Sequence, residues 1–226
     1  MRFFRHAFLL IVSAYAVVAP CAHASSRLAV CPGPQNAQLP AGGSSTPGIS
    51  EVQALILTAR TVRDMPGNKK VGEEALARAE SALRTLLSLS PKDSTLHALA
   101  GERDLLMVQY RGFPAGMVDG KKAQSENDRA LLLGPDNAEA HLSRGIELYF
   151  KPWFVGGSVD KALREFERAN ALRPHDPRIL SWIGVCRHRL GRSGARSALD
   201  AALALCPKSP LYLSRARTFN PRAIHP

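Results

Sequence analysis

A chain of 226 residues, 45 % hydrophobic and 22 % charged, is long enough for one or two domains with a real core, which excludes a wholly disordered polymer. Aromatics make up only 6 % and alanine and leucine dominate the middle, which argues against a β-sandwich and for closely packed helices. The net charge of +11 favours acidic partners and is silent on fold.

The first residues read as an address. Arg2 and Arg5 precede an apolar run from Ala7 to Ala19, and Ala22-His23-Ala24 gives a small-x-small ending. That pattern predicts a secretory signal peptide over 1–24, cleaved after Ala24, and a periplasmic or secreted protein. The run is shorter than the about 20 residues a bilayer span needs. Pro20 before Cys21 argues against lipid attachment there. Export makes nucleic acid a poor partner. Residues 25–48, crowded with Pro, Gly and Ser, read as a flexible linker. Beyond the leader stand Cys31, Cys186 and Cys206, an odd number. Cys186 and Cys206 sit at different distances from a turn near Gly191, about 10 Å apart by helix geometry and beyond the roughly 7 Å reach of a disulfide. They are expected as buried small hydrophobes, with Cys31 in reach of either or of another chain.

Helical patterning begins near Ile49. Ser50 is the expected cap of "EVQALILTARTVRDM", and "PGNKK" breaks that helix. "VGEEALARAESALRTLLSLSP" is a second helix, stopped at Pro91. A signal then recurs in "LLSLSPKDSTLHALAG", "ALLLGPDNAEAHLSRG" and "ANALRPHDPRILSWIG": an apolar helix end, Pro in a polar cluster, then a new helix with Gly at a fixed place. Between these signals, "GGSVDKALREFERANALRP" is amphipathic, with Ser158 placed to cap it and Pro174 to end it.

Gly145, Ala162, Phe166, Ala169 and Pro174, repeated as Gly184, Ala195, Leu199, Ala202 and Pro207 and more weakly as Gly101, Ala123, Ala130 and Pro135, carry a resemblance to the tetratricopeptide repeat (TPR) family. It covers roughly residues 49–213. It implies an all-α fold: a right-handed superhelical array of antiparallel helix hairpins, about four of them, plus a capping helix. That cap is "SPLYLSRARTF", with Arg215 and Arg217 expected to face water, and 214–226 is a basic tail. Two units exceed the usual length of about 34 residues. Their inserts, Tyr110 to Ala123 and Tyr149 to Ala162, resemble each other. Either they form a partner-binding rim of Phe113, Met117, Trp153 and Phe154, or they pack on each other.

The resemblance places the binding surface on the concave face. Its strips would be Glu139, Leu142, Ile146 and Tyr149, then Arg178, Ser181, Val185, His188 and Arg189, after a strip led by Thr95, Ala98, Glu102 and Leu105. Some members hold a terminal carboxylate with a lysine–asparagine clamp. Ala98 and Glu102 stand where that clamp would begin, so that activity is not implied. No catalytic motif is found: "GMVDGKK" lacks phosphate-loop spacing, and His97 and His141, equivalent in successive units, have no third zinc ligand. The reading is a non-enzymatic adaptor without cofactor, binding a protein or peptide, with acidic segments and anionic envelope surfaces fitting its charge. Its rival is a ligand-binding component of an envelope transport system, which a closed cavity under the inserts would favour.

Overall fold

The computed structural model describes Cys31, residues 48–112 and residues 114–219. The expected leader, the remainder of the linker, Phe113 and residues 220–226 lie outside the described residues. Within them the regular structure is helical, with no strand: α1 (Ile49–Val62), α2 (Lys69–Leu89), α3 (Ser94–Arg111), α4 (Met117–Leu133), α5 (Ala138–Phe150), α6 (Val159–Leu172), α7 (Pro177–Arg189), α8 (Ala195–Leu205) and α9 (Pro210–Phe219). Successive pairs from α1/α2 to α7/α8 pack as hairpins, and α3 lies against both α1 and α5. The result is an α-solenoid. The last helix, α9, crosses residue 213, covers α8 and touches both α7 and α1, so the two ends of the array meet.

The polar cluster behind each repeated proline proves to be a cap. Asp93, Asn137 and Asp176 accept from the backbone N–H of Thr95 (2.7 Å), Glu139 (2.9 Å) and Arg178 (2.9 Å), satisfying donors that a helix start leaves unpaired. Ser158 caps α6 through the Lys161 N–H at 3.3 Å. Ser50 does not cap α1: the helix begins one residue before it, with Gly48 at the cap position.

Within the last three hairpins the fixed glycine receives the facing helix. A Cβ on Gly145 would stand 2.5 Å from the Phe166 ring, and one on Gly184 3.0 Å from the Ala195 carbonyl oxygen, beside Leu199. At Gly101 the occupant is the Asn127 amide, at 2.2 Å. Asn127 thus holds the place that Phe166 and Leu199 hold in later units. Phe166 is fully buried and stacks on Trp182 with centroids 5.5 Å apart.

The inserts differ in form. The first is absorbed largely as helix, because α3 runs to Arg111 and α4 starts at Met117. The second leaves α5 as a knuckle: Pro152, then a 3-10 turn over Trp153–Val155. It is closed by Gly157 N–H donating to the Pro152 carbonyl (3.0 Å) and Ser158 N–H to that of Leu148 (2.9 Å). Gly156 takes φ 96°, and a Cβ on Gly157 would lie 1.7 Å from the Lys151 carbonyl oxygen, so both glycines are required.

Cys31 and Cys206 form a disulfide, with Cα atoms 5.4 Å apart. This corrects the expectation for Cys206; among the described residues Cys186 alone remains a buried free thiol, pushed up to about 12 by that burial.

Candidate functional site: the concave hollow

The strips expected along the groove divide into a buried layer and a surface layer. Glu139 is 0 % exposed and fixed from three sides: Arg178 bonds both its oxygens (2.7 and 2.9 Å), Arg173 reaches it at 2.7 Å and Gln53 at 3.3 Å. Burial alone pushes this carboxyl up, but the charges and hydrogen bonds of Arg178 and Arg173 outweigh it and hold it at about 2. Arg178 also binds Asp176 at 2.8 Å. Burial opposes its charge too, and its two carboxylates raise it well above the usual arginine value. Arg178 therefore serves as an internal lock between α5 and α7 and has no charge left to offer an acidic partner, contrary to the groove reading. Leu142, Ile146 and Ser181 are likewise buried. They form the floor, not the surface.

Above that floor lies a hollow of about 560 Å³. Tyr149, Val185, His188 and Arg189, from the expected strips, line it. So do residues missed in the sequence: Arg60 of α1 and Arg63 just past its end, Phe150 and Trp182, and Arg215 and Phe219 of α9. Arg215 corrects the expectation for the cap. It turns inward, donates to the Ser181 hydroxyl and lays its guanidinium 4.3 Å from the Trp182 ring centroid, while Arg217 is exposed. Burial, and then the charge of Arg60, push Arg215 down to about 10. Arg60 itself is held by Glu102 at 2.9 Å, and Arg63 by Asp64 at 2.8 Å. Arg215 and Arg189 have no carboxylate within ion-pair distance among the described residues. Arg189 instead sits 5.1 Å from the Tyr149 ring, and His188 stacks on Phe219 at 4.2 Å. Two guanidiniums without counter-ions, on aromatic walls, can receive an anion with an apolar portion.

Arg60 was the legible one of the missed residues: it is the lone charge in the apolar run from Leu55 to Val62. Arg215 was not legible, because its direction depends on α9 folding back toward α1.

The insert residues face outward. Met117, Trp153 and Phe154 are exposed, and the last two pack edge to face on each other at 5.9 Å. Phe113 lies outside the described residues. His97 and His141 form equivalent clasps: each Nδ1 meets a glutamate oxygen at 2.6 Å (Glu126, Glu165) and each Nε2 a proline carbonyl, of Pro91 or Pro135. Among the described residues no group of three or more His, Cys, Asp or Glu is gathered as a metal would need. No described helix is long and apolar enough to cross a membrane.

No family model matches this sequence, and no curated protein matches it. Among solved structures it is similar to a thermophilic TPR protein from Thermus thermophilus, at 22 % identity and TM-score 0.50, over 76 % of this chain and 91 % of that one. The likeness shows that the chain has the TPR fold.

Proposed function

We propose that this protein is a non-catalytic, exported adaptor whose concave hollow receives an acidic segment of a partner protein. The fold supports an interaction scaffold, and one observation carries the finer reading: Arg215 and Arg189 lie on aromatic rings without a carboxylate partner among the described residues. A cation partly removed from water and held by a neutral hydroxyl and a π face gains from an incoming carboxylate. A short apolar stretch beside that carboxylate meets Tyr149, Phe150, Trp182 and Phe219. The leader pattern supports export.

Fluorescence anisotropy with labelled peptides tests this. Peptides pairing Asp or Glu with Phe or Leu bind, and their neutral amide versions bind at least tenfold more weakly. Arg215→Gln and Arg189→Gln each weaken binding by about tenfold or more, the worth of one charge-assisted hydrogen bond. Affinity untouched by both substitutions overturns the reading. A hollow of about 560 Å³ also falls in the size range of small-ligand sites, roughly 300–1,000 Å³, which keeps the ligand-binding rival in view. Displacement of the peptide by simple aromatic acids at comparable concentrations supports that rival.

A further inference from the structure

The second insert presents apolar surface that the hollow does not use. Trp153 is 84 % exposed, Phe154 71 % and Val155 51 %. Exposed aromatics on a floppy loop collapse onto the nearest apolar wall. Here the closing hydrogen bonds of the knuckle and its paired glycines hold them away from the body. At the root, Lys151 Nζ bonds Gln124 Oε1 of α4 at 3.0 Å.

The other insert ends on the same edge. Asn137, at the start of α5, donates to Ser94 and Thr95, at the start of α3, both at 2.9 Å. The two helices therefore run parallel, and their far ends, Arg111 and Phe150, leave from one rim. Met117 and Val118, the exposed start of α4, lie on that rim too. Charge there is one-sided. Asp119 is paired with Arg111, Glu147 with Arg144 and Lys151, and Asp160 with Arg164 and Arg192. Lys121, Lys122 and Lys161 are exposed and have no carboxylate within ion-pair distance among the described residues.

The geometry points to the Trp153–Phe154 knuckle as a membrane-docking tip, seated in the interfacial layer of a bilayer that carries anionic lipids. Tryptophan and phenylalanine gain most where one side is apolar and the other wet. Lysines beside them add attraction to a negative leaflet, in a field that fades within a Debye length. A protein partner is the other occupant such apolar surface admits, but rim lysines without counter-ions around an outward-facing apolar tip match a negatively charged sheet better than a shaped pocket. The tip residues Trp153 and Phe154 are not among those lining the hollow, so the inference goes beyond the proposed binding of an acidic segment and does not depend on it.

The test uses the full chain with vesicles of phosphatidylcholine alone, and of phosphatidylcholine with phosphatidylglycerol, with and without brominated acyl chains. Of the two tryptophans, Trp182 is buried and Trp153 is exposed, so the emission that shifts is local to the tip. The apolar residues 7–19 contain no tryptophan and add no tryptophan emission of their own. Anionic vesicles are expected to shift Trp153 to the blue, protect it from iodide and allow quenching by the brominated chains, with far weaker effects on phosphatidylcholine alone. Phe154→Ala should weaken the Trp153 response roughly tenfold, since an aromatic is removed from the apolar layer. Each of Lys121→Gln, Lys122→Gln and Lys161→Gln should weaken it about fivefold. Unchanged melting of these surface variants separates docking from folding, and Arg215→Gln should leave the lipid response intact. A Trp153 that stays open to iodide in the presence of anionic vesicles overturns the proposal. So does a tip protected only when a protein partner is added, or lipid quenching that the substitutions do not alter.

Discussion

Replacing Glu139 by glutamine removes the charge that Arg178 and Arg173 share at the centre of the array. The wild-type carboxyl is held at about 2 against an ordinary 4.5, which at 1.36 kcal/mol per pH unit is a contribution of about 3 kcal/mol. Its folded value is depressed, so the contribution is complete above pH 4.5 and disappears as pH falls from there toward 2. At neutral pH, Glu139→Gln leaves two guanidiniums facing an amide in a fully buried place, a loss of about 3–5 kcal/mol for breaking a buried pair from one side. For a domain of this size that lowers the melting temperature by roughly 6–20 °C. Urea unfolding followed by circular dichroism at pH 7, 5 and 3 reads both quantities. The variant should be much weaker at pH 7 and lose less of its remaining stability between pH 5 and 3 than the wild type. Parallel pH curves for the two proteins, or a loss below about 1 kcal/mol at pH 7, refute the lock.

Phe166→Ala should cost roughly 3–5 kcal/mol in the same assay, because the ring fills the space beside Gly145 and supports Trp182; a variant as stable as wild type contradicts that packing. Breaking the Cys31–Cys206 bond, which spans 175 residues of chain, should lower stability by up to roughly 5 kcal/mol on the chain-entropy account, measured as a shift in urea midpoint on adding reductant. Cys186 should resist alkylation until denaturant is added, since burial keeps its thiol protonated, and mass spectrometry of the labelled protein reads this directly.

The repeat signal was legible because proline, capping residue and glycine act locally. Asp93, Asn137 and Asp176 cap the helices that their own sequence neighbourhood announces, and Phe166 meets Gly145 as the resemblance implies. The charge pattern was less legible. Glu139 and Arg178 were read as two surface residues on neighbouring strips, and only the three-dimensional register shows them facing each other beneath the surface. Ser50 misled for the opposite reason: a good capping residue lost its place because α1 starts two residues earlier, with Gly48 at its cap position. The disulfide lay beyond reach of pattern altogether, because one partner comes from a stretch without periodicity. In the first insert the sequence shows added length, and nothing local states that the length goes into α3 and α4 while the second insert makes a turn.

An open repeat array is a ladder: units can be added at either end, and an extended peptide can lie along several rungs. The contact between α9 and α1 makes a ring of this one. A ring fixes the number of units, because inserting or deleting a hairpin must first break the closure. It also limits what the hollow accepts. On the proposed reading, the joined ends favour an acidic segment that arrives tip first, as a chain terminus or the crest of a loop.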